Sequence, residues 1–103
     1  MLKEAVARAE RGLIDGDLGG GVIKQRIARP GQGKSGGYRS IIFFRKGEKA
    51  FFVYGFAKSD RENIEPDELV EFKKLAKAWF TFSDKQIEAM INNKELTELA
   101  YEE

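Results

Sequence analysis

The residues best suited to chemistry in this chain are the cations of one sixteen-residue stretch, Lys24 to Arg39, reading KQRIARPGQGKSGGYR. Five are basic (Lys24, Arg26, Arg29, Lys34 and Arg39), none is acidic, and four glycines and a proline lie among them. Clustered lysine and arginine attract phosphate, and glycine lets backbone amides come close to a ligand. Taken alone, such a run reads more simply as a solvated basic strand with a mobile loop. The rest of the chain has to decide between the two.

Composition narrows the chemistry. The 103 residues include no cysteine and no histidine. Disulfides, thiolate nucleophiles and cysteine metal sites are therefore excluded, together with the commonest general base and the commonest metal ligand. A net charge of +1 hides an asymmetry: residues 1–21 carry −1, residues 22–61 carry +8 and residues 62–103 carry −6. A basic middle with an acidic tail reads as a polyanion site on an otherwise neutral domain. The length suits one domain spanning residues 1–103. No apolar run is long enough to span a membrane, and Met1 to Gly12 lacks a signal-peptide pattern. A cytoplasmic protein without a membrane partner is the expectation.

The elements that must position the cations follow from periodicity. Leu2, Ala5, Val6, Ala9 and Leu13 recur at helical spacing, with Glu4 and Arg8 paired on the outer face and Gly12 closing the helix. Asp15 to Gly21 (DGDLGGG) reads as turn material; its acids lack the further ligand positions of a calcium loop. Val22 to Arg29 alternates as a strand, with Ile23 and Ile27 on one face and Lys24 and Arg26 on the other. Gly31 to Gly37 forms a loop. Tyr38 to Phe44 and Ala50 to Ala57 read as central, covered hairpin strands joined at Lys46-Gly47-Glu48.

Pro66 opens a helix with Glu65, Asp67 and Glu68 at its positive end and Ile64 and Leu69 at staple positions. Leu69, Phe72, Leu75, Ala76, Trp79 and Phe80 form its buried stripe, which reads as core and not as a binding platform. Ser83 and Gln86 form a capping box for a short helix to about Ile91. Thr97, Leu99 and Tyr101 alternate as a last short strand. The expected fold class is α+β, a single small antiparallel sheet with helices packed on one face.

Two short motifs fail on context. Ala28 to Ser35 (ARPGQGKS) matches the permissive phosphate-loop pattern, but a β-patterned run follows it where that motif needs a helix. Gly33 to Gly36 (GKSG) matches the GxxG loop of KH domains, which joins two helices; this one joins two strands.

Two longer motifs in order, K-x-R-I-A-R-x-G-x-G-K-S-G-G-x-R at Lys24 to Arg39 and F-F-V-Y-G-F-A-K-S-D-R-E-N-I at Phe51 to Ile64, resemble the RelE/HigB-type toxins of bacterial toxin–antitoxin pairs. The glycines at 19 to 21, the Pro66 helix and the Ser83 helix also fall where that branch has them. The resemblance implies a RelE-like fold and a ribosome-dependent endonuclease that cuts messenger RNA and is neutralised by a cognate antitoxin. It implies further that Arg39 is the strand arginine after the loop. Lys58 and Arg61 are then the basic positions after the last central strand, and Lys24, Arg26 and Lys34 contact RNA.

The residue types suit that chemistry. RNA carries its own nucleophile in the 2′-hydroxyl, so a site needs mainly to align it and to stabilise charge on the phosphate oxygens. No metal or other cofactor is required. Arg39 and Arg26 are the expected phosphate ligands, and Lys34 or Lys58 the proton donor to the leaving 5′-oxygen. Lys24, Arg29, Tyr54 and Arg61 are expected RNA contacts. The base is either a lysine made less basic by neighbouring cations or Tyr54.

Two departures matter. Without histidine, imidazole cannot take the proton. Family members also usually open with a strand and further helical residues before the segment matching Leu2, so a missing N-terminal strand and an open sheet edge are expected, with self-association through that edge. Competing readings are a non-catalytic ribosome- or RNA-binding module and a gyrase-directed toxin of the same fold.

Overall fold

The middle of the chain folds as a four-stranded sheet. The computed structural model describes residues 2–27, 37–47, 49–57 and 63–94. Helix α1 (Leu2–Glu10) precedes strands β1 (Gly16–Gly19), β2 (Val22–Ile27), β3 (Tyr38–Arg45) and β4 (Lys49–Ala57), and helices α2 (Pro66–Trp79) and α3 (Asp84–Asn92) follow. The strands lie in the order β1-β2-β3-β4, each antiparallel to the next. The α+β class with a single antiparallel sheet is as expected.

Strand alternation divides the core in two. Ile23 and Ile27 of β2 join Ile42 and Phe44 of β3 against Ala5, Val6 and Ala9 of α1. The opposite face presents Val22, Ile41, Phe43, Phe51 and Phe56 to Ala76, Leu69, Phe72 and Trp79 of α2 and to Ile87 of α3. The expectation of helices on one face thus describes α2 and α3. Helix α1 covers the other face, because Ile23 and Ile27 make it as apolar as the first. Phe43, fully buried, meets the rings of Trp79 and Phe72 edge-on at 5.1 and 6.3 Å, so the aromatic stripe of α2 is core.

The caps follow the sequence. The Glu65 N–H donates to Glu68 Oε1 at 2.8 Å before Pro66, and Ile64 and Leu69 pack into the same cluster. Ser83 N–H donates to Gln86 Oε1, and Gln86 N–H to Ser83 Oγ, at 2.7 and 3.1 Å. Gly12 sits at φ +82° just beyond α1, the left-handed conformation of a closing glycine.

Several expectations are corrected. Leu13 and Leu75 are 55% and 41% exposed, Leu13 because α1 has already ended and Leu75 because it falls beside the stripe that faces the sheet. The glycine-rich stretch holds a strand: Gly16 to Gly19 pairs with β2, with an irregularity between Asp17 and Gly19. Backbone hydrogen bonds can be made there without bulky side chains. Strand β4 is an outer strand among the described residues, as β1 is, where a covered central strand was expected, and Val53 is an extra residue at a bulge opposite Ile41 and Ile42. Arg8 turns to Asp15 at 3.3 Å, where pairing with Glu4 was expected. The expected strand through Thr97, Leu99 and Tyr101 lies outside the described residues.

The β1–β2 connection is shaped by Gly19, Gly20 and Gly21, all at positive φ. Gly21 has a second constraint: a Cβ there would lie 2.5 Å from Cε2 of Phe80, which packs over it from the end of α2.

Candidate nucleic-acid interface

Register places the basic residues. Arg26 of β2 lies directly across from Arg39 of β3, and Lys24 lies across from Ile41, itself across from Tyr54 of β4. Cross-strand partners share a face, so Lys24, Arg26, Arg39 and Tyr54 project on the α2 side of the sheet. Ile27, Tyr38 and Ala57 form the last row of the register at the same end. The segments 28–36 and 58–62 both leave from that end. Arg29, Lys34, Lys58 and Arg61 belong to them and lie outside the described residues. Half of the sequence-derived candidates are therefore brought together by the sheet itself.

Arg39 is half-buried, and its Nη1 is buried without a hydrogen-bond partner among the described residues. A buried guanidinium nitrogen with no acceptor is costly unless an anion supplies one. Its direct neighbours on the face, Arg26 and the buried Phe56, do not provide an acceptor oxygen through their side chains. Tyr54, 39% exposed, lies with its ring 5.8 Å from Phe56 and 6.3 Å from Phe72, which tilts an aromatic surface beside the cations.

Arg26 is held differently. Its N–H donates to Asp15 Oδ2 at 2.7 Å, its Nη2 lies 3.5 Å from Asp15 Oδ1, and its carbonyl accepts from Arg8. Burial alone would raise the Asp15 pKa; the Arg26 N–H and the Arg8 and Arg26 charges outweigh that and hold the carboxyl below its ordinary value of 3.8. A depressed folded-state pKa gives stability that is present above the unfolded value and is lost as pH falls through the folded one. Unfolding midpoints are thus expected to drop as pH falls below about 4, and less steeply in Asp15→Asn. Equal slopes would remove Asp15 from the acid sensitivity.

Gln25 completes the brace from the other face of β2. Fully buried, it donates from Nε2 to the carbonyls of Ala5 and Leu13 at 3.0 and 3.1 Å and accepts the Asp15 N–H at 2.6 Å. Lys24 Nζ reaches Asn63 Oδ1 at 3.4 Å, tying β2 to the residues before α2. Sequence reasoning missed Asp15, Gln25 and Asn63 as supports. Gln25 carried a signal, a polar side chain at an inward position between Ile23 and Ile27; Asp15 carried none within a turn-like stretch.

A cavity of about 530 Å³ is lined by Ile27, Tyr38, Arg39, Ser40, Phe52, Val53, Tyr54 and Gly55. Ile27, Tyr38, Ser40, Phe52 and Gly55 belong to the α1 face by register, while Arg39 and Tyr54 belong to the α2 face. The cavity and the basic row therefore share Arg39 and Tyr54.

Buried and half-exposed guanidinium groups on one rigid sheet can bind phosphate and stabilise charge that develops on it. A family model described as the RelE toxin of the RelE / RelB toxin-antitoxin system matches residues 1–99. No curated protein and no solved structure matches the chain. With nearly its whole length matched, and with the α+β sheet that the resemblance implied, the chain belongs to the RelE toxin family, whose members pair with an antitoxin.

Proposed function

We propose that this toxin is a ribosome-dependent endoribonuclease that cuts messenger RNA in the cytoplasm, in the manner of the HigB-type branch, and so stops translation. The observation that carries the reading is Arg39, whose buried Nη1 lacks an acceptor among the described residues, beside a second arginine on the same face. In the reaction the 2′-oxygen attacks the adjacent phosphorus while its proton passes to a base. The bond to the 5′-oxygen breaks, and that oxygen takes a proton. Arg39 and Arg26 hold the phosphate oxygens, Lys34 or Lys58 donates the proton, and Lys24, Arg29, Tyr54 and Arg61 hold the flanking RNA. Tyr54 lies within the aromatic cluster on the same face, suited to stacking against a base.

Mapping transcript 5′ ends after brief induction tests this. Discrete new ends inside translated messages are expected. Growth arrest with intact messages would replace cleavage by non-catalytic binding to the ribosome, and DNA damage with intact messages would point to gyrase. No described helix is long and apolar enough to cross a membrane.

Self-association belongs to β4. Among the described residues it is an outer strand, and Lys49 is the sole charged residue in its nine, KAFFVYGFA. Edges with so few charges recruit other strands. Sedimentation mass should rise with concentration; a constant monomer mass would remove this reading.

A further inference from the structure

Arg26 and Arg39 face each other across β2 and β3, and like charges directly opposite on one face repel. The described residues give the two different surroundings. Arg39 Nη1 has no acceptor, whereas Arg26 Nη2 lies 3.5 Å from Asp15 Oδ1. The two oxygens of Asp15 have separate partners. Oδ2 takes the Arg26 N–H at 2.7 Å and Arg8 Nη1 at 3.3 Å, contacts that brace the end of β2. Among the described residues Oδ1 faces only the Arg26 guanidinium, at the long distance of 3.5 Å, and that side chain is 43% exposed. A contact of this kind is weak and readily exchanged.

We infer that Asp15 is an internal counter-ion that competes with RNA phosphate for Arg26. The inference rests on the reading of this face as the RNA site and adds an order to it. A phosphate engages Arg39 first, because among the described residues no acceptor must be displaced from its Nη1, although that buried atom has to be uncovered. Arg26 joins only when its guanidinium leaves Oδ1, while Oδ2 keeps its backbone bond and the strand end stays in place. Asp15 thereby quenches the repulsion between the two arginines in the free protein and weakens RNA binding by the same contact.

The test measures binding of a 2′-O-methylated single-stranded oligoribonucleotide, which lacks the nucleophile and so is not cut. Asp15→Asn keeps an oxygen for the Arg26 N–H and removes the charge. It should bind roughly fivefold more tightly, about the worth of one exposed ion pair. Its log–log salt slope should steepen by about 0.7, one further phosphate contact on a single strand. Glu71→Gln, whose carboxylate pairs with Lys74 on α2, makes the same change of charge elsewhere and should not reproduce the gain. In an Arg26→Gln background the gain should vanish.

A gain equal to that of Glu71→Gln, a gain that survives without Arg26, or no gain overturns the inference while leaving the RNA reading intact. Absence of binding by every form, wild type included, overturns both. Should Asp15→Asn not fold, Arg26→Gln and Arg39→Gln carry the test in its place. The loss at Arg39 should then be the larger, and equal losses overturn the ordering.

Discussion

Cells induced for the Arg39→Ala chain are expected to keep growing at close to the uninduced rate, and their messages to remain whole. Removing one preorganised charge-stabilising donor lowers a chemical step by about 10²–10³-fold. Among the described residues Arg39 is also left without an acceptor at its buried Nη1. The same fact predicts how the fold responds. An unsatisfied buried polar group costs about 1–3 kcal/mol, so its removal should leave the thermal midpoint unchanged or raised. Arg39→Met keeps most of the volume beside Phe56 and separates lost packing from lost charge. Arrest that persists in both variants, with the same cuts, would take Arg39 out of the site. Arrest lost together with a collapsed midpoint would make its role structural.

Gly21→Ala is expected to be the most damaging glycine-to-alanine change among the described residues. The added Cβ would lie 2.5 Å from Phe80, at a position with φ +83°. Left-handed backbone strain and forced repacking together come to about 3 kcal/mol. For a domain of this size that is a fall in thermal midpoint of roughly 15 °C. Gly47→Ala separates the two causes, since Gly47 has a similar φ of +74° but nothing within 4 Å of the added atom. It should lose only the strain, about 1 kcal/mol. Equal losses at the two sites would show that Phe80 yields freely and that the β1–β2 connection is not pinned by α2.

What could be read in the sequence, and what could not, follows the range of the forces involved. The alternation of Ile23, Lys24, Arg26 and Ile27 is a local property of one strand, and it set the basic row on the correct face. Glu65, Pro66, Ser83 and Gln86 act within one helical turn, and both caps are where they were expected. Long-range choices were less visible. Whether β4 is central or outer depends on what else pairs with it, and nothing in KAFFVYGFA says so. The short strand Gly16–Gly19 has almost no side-chain pattern, because three of its residues are Gly16, Leu18 and Gly19 beside a single acid. Its partner β2 defines it. The cross-strand meeting of Arg26 and Arg39 depended on the β2–β3 register, and Asp15 became a neighbour of Arg26 through the separate pairing of β1 with β2.

The meander has a consequence in time. Among the described residues, each of the four strands hydrogen-bonds only to its neighbours in sequence. Little chain entropy is lost in bringing such strands together, and sheets of this connectivity with flanking helices fold on the millisecond scale or thereabouts. Synthesis at roughly 5–20 residues per second takes on the order of ten seconds for a chain of this length. The basic face is therefore assembled almost as soon as the last helix is free of the ribosome that made it. A neutralising antitoxin has no slow, half-folded stage at which to intercept this protein. It must already be present, and it must recognise the finished surface.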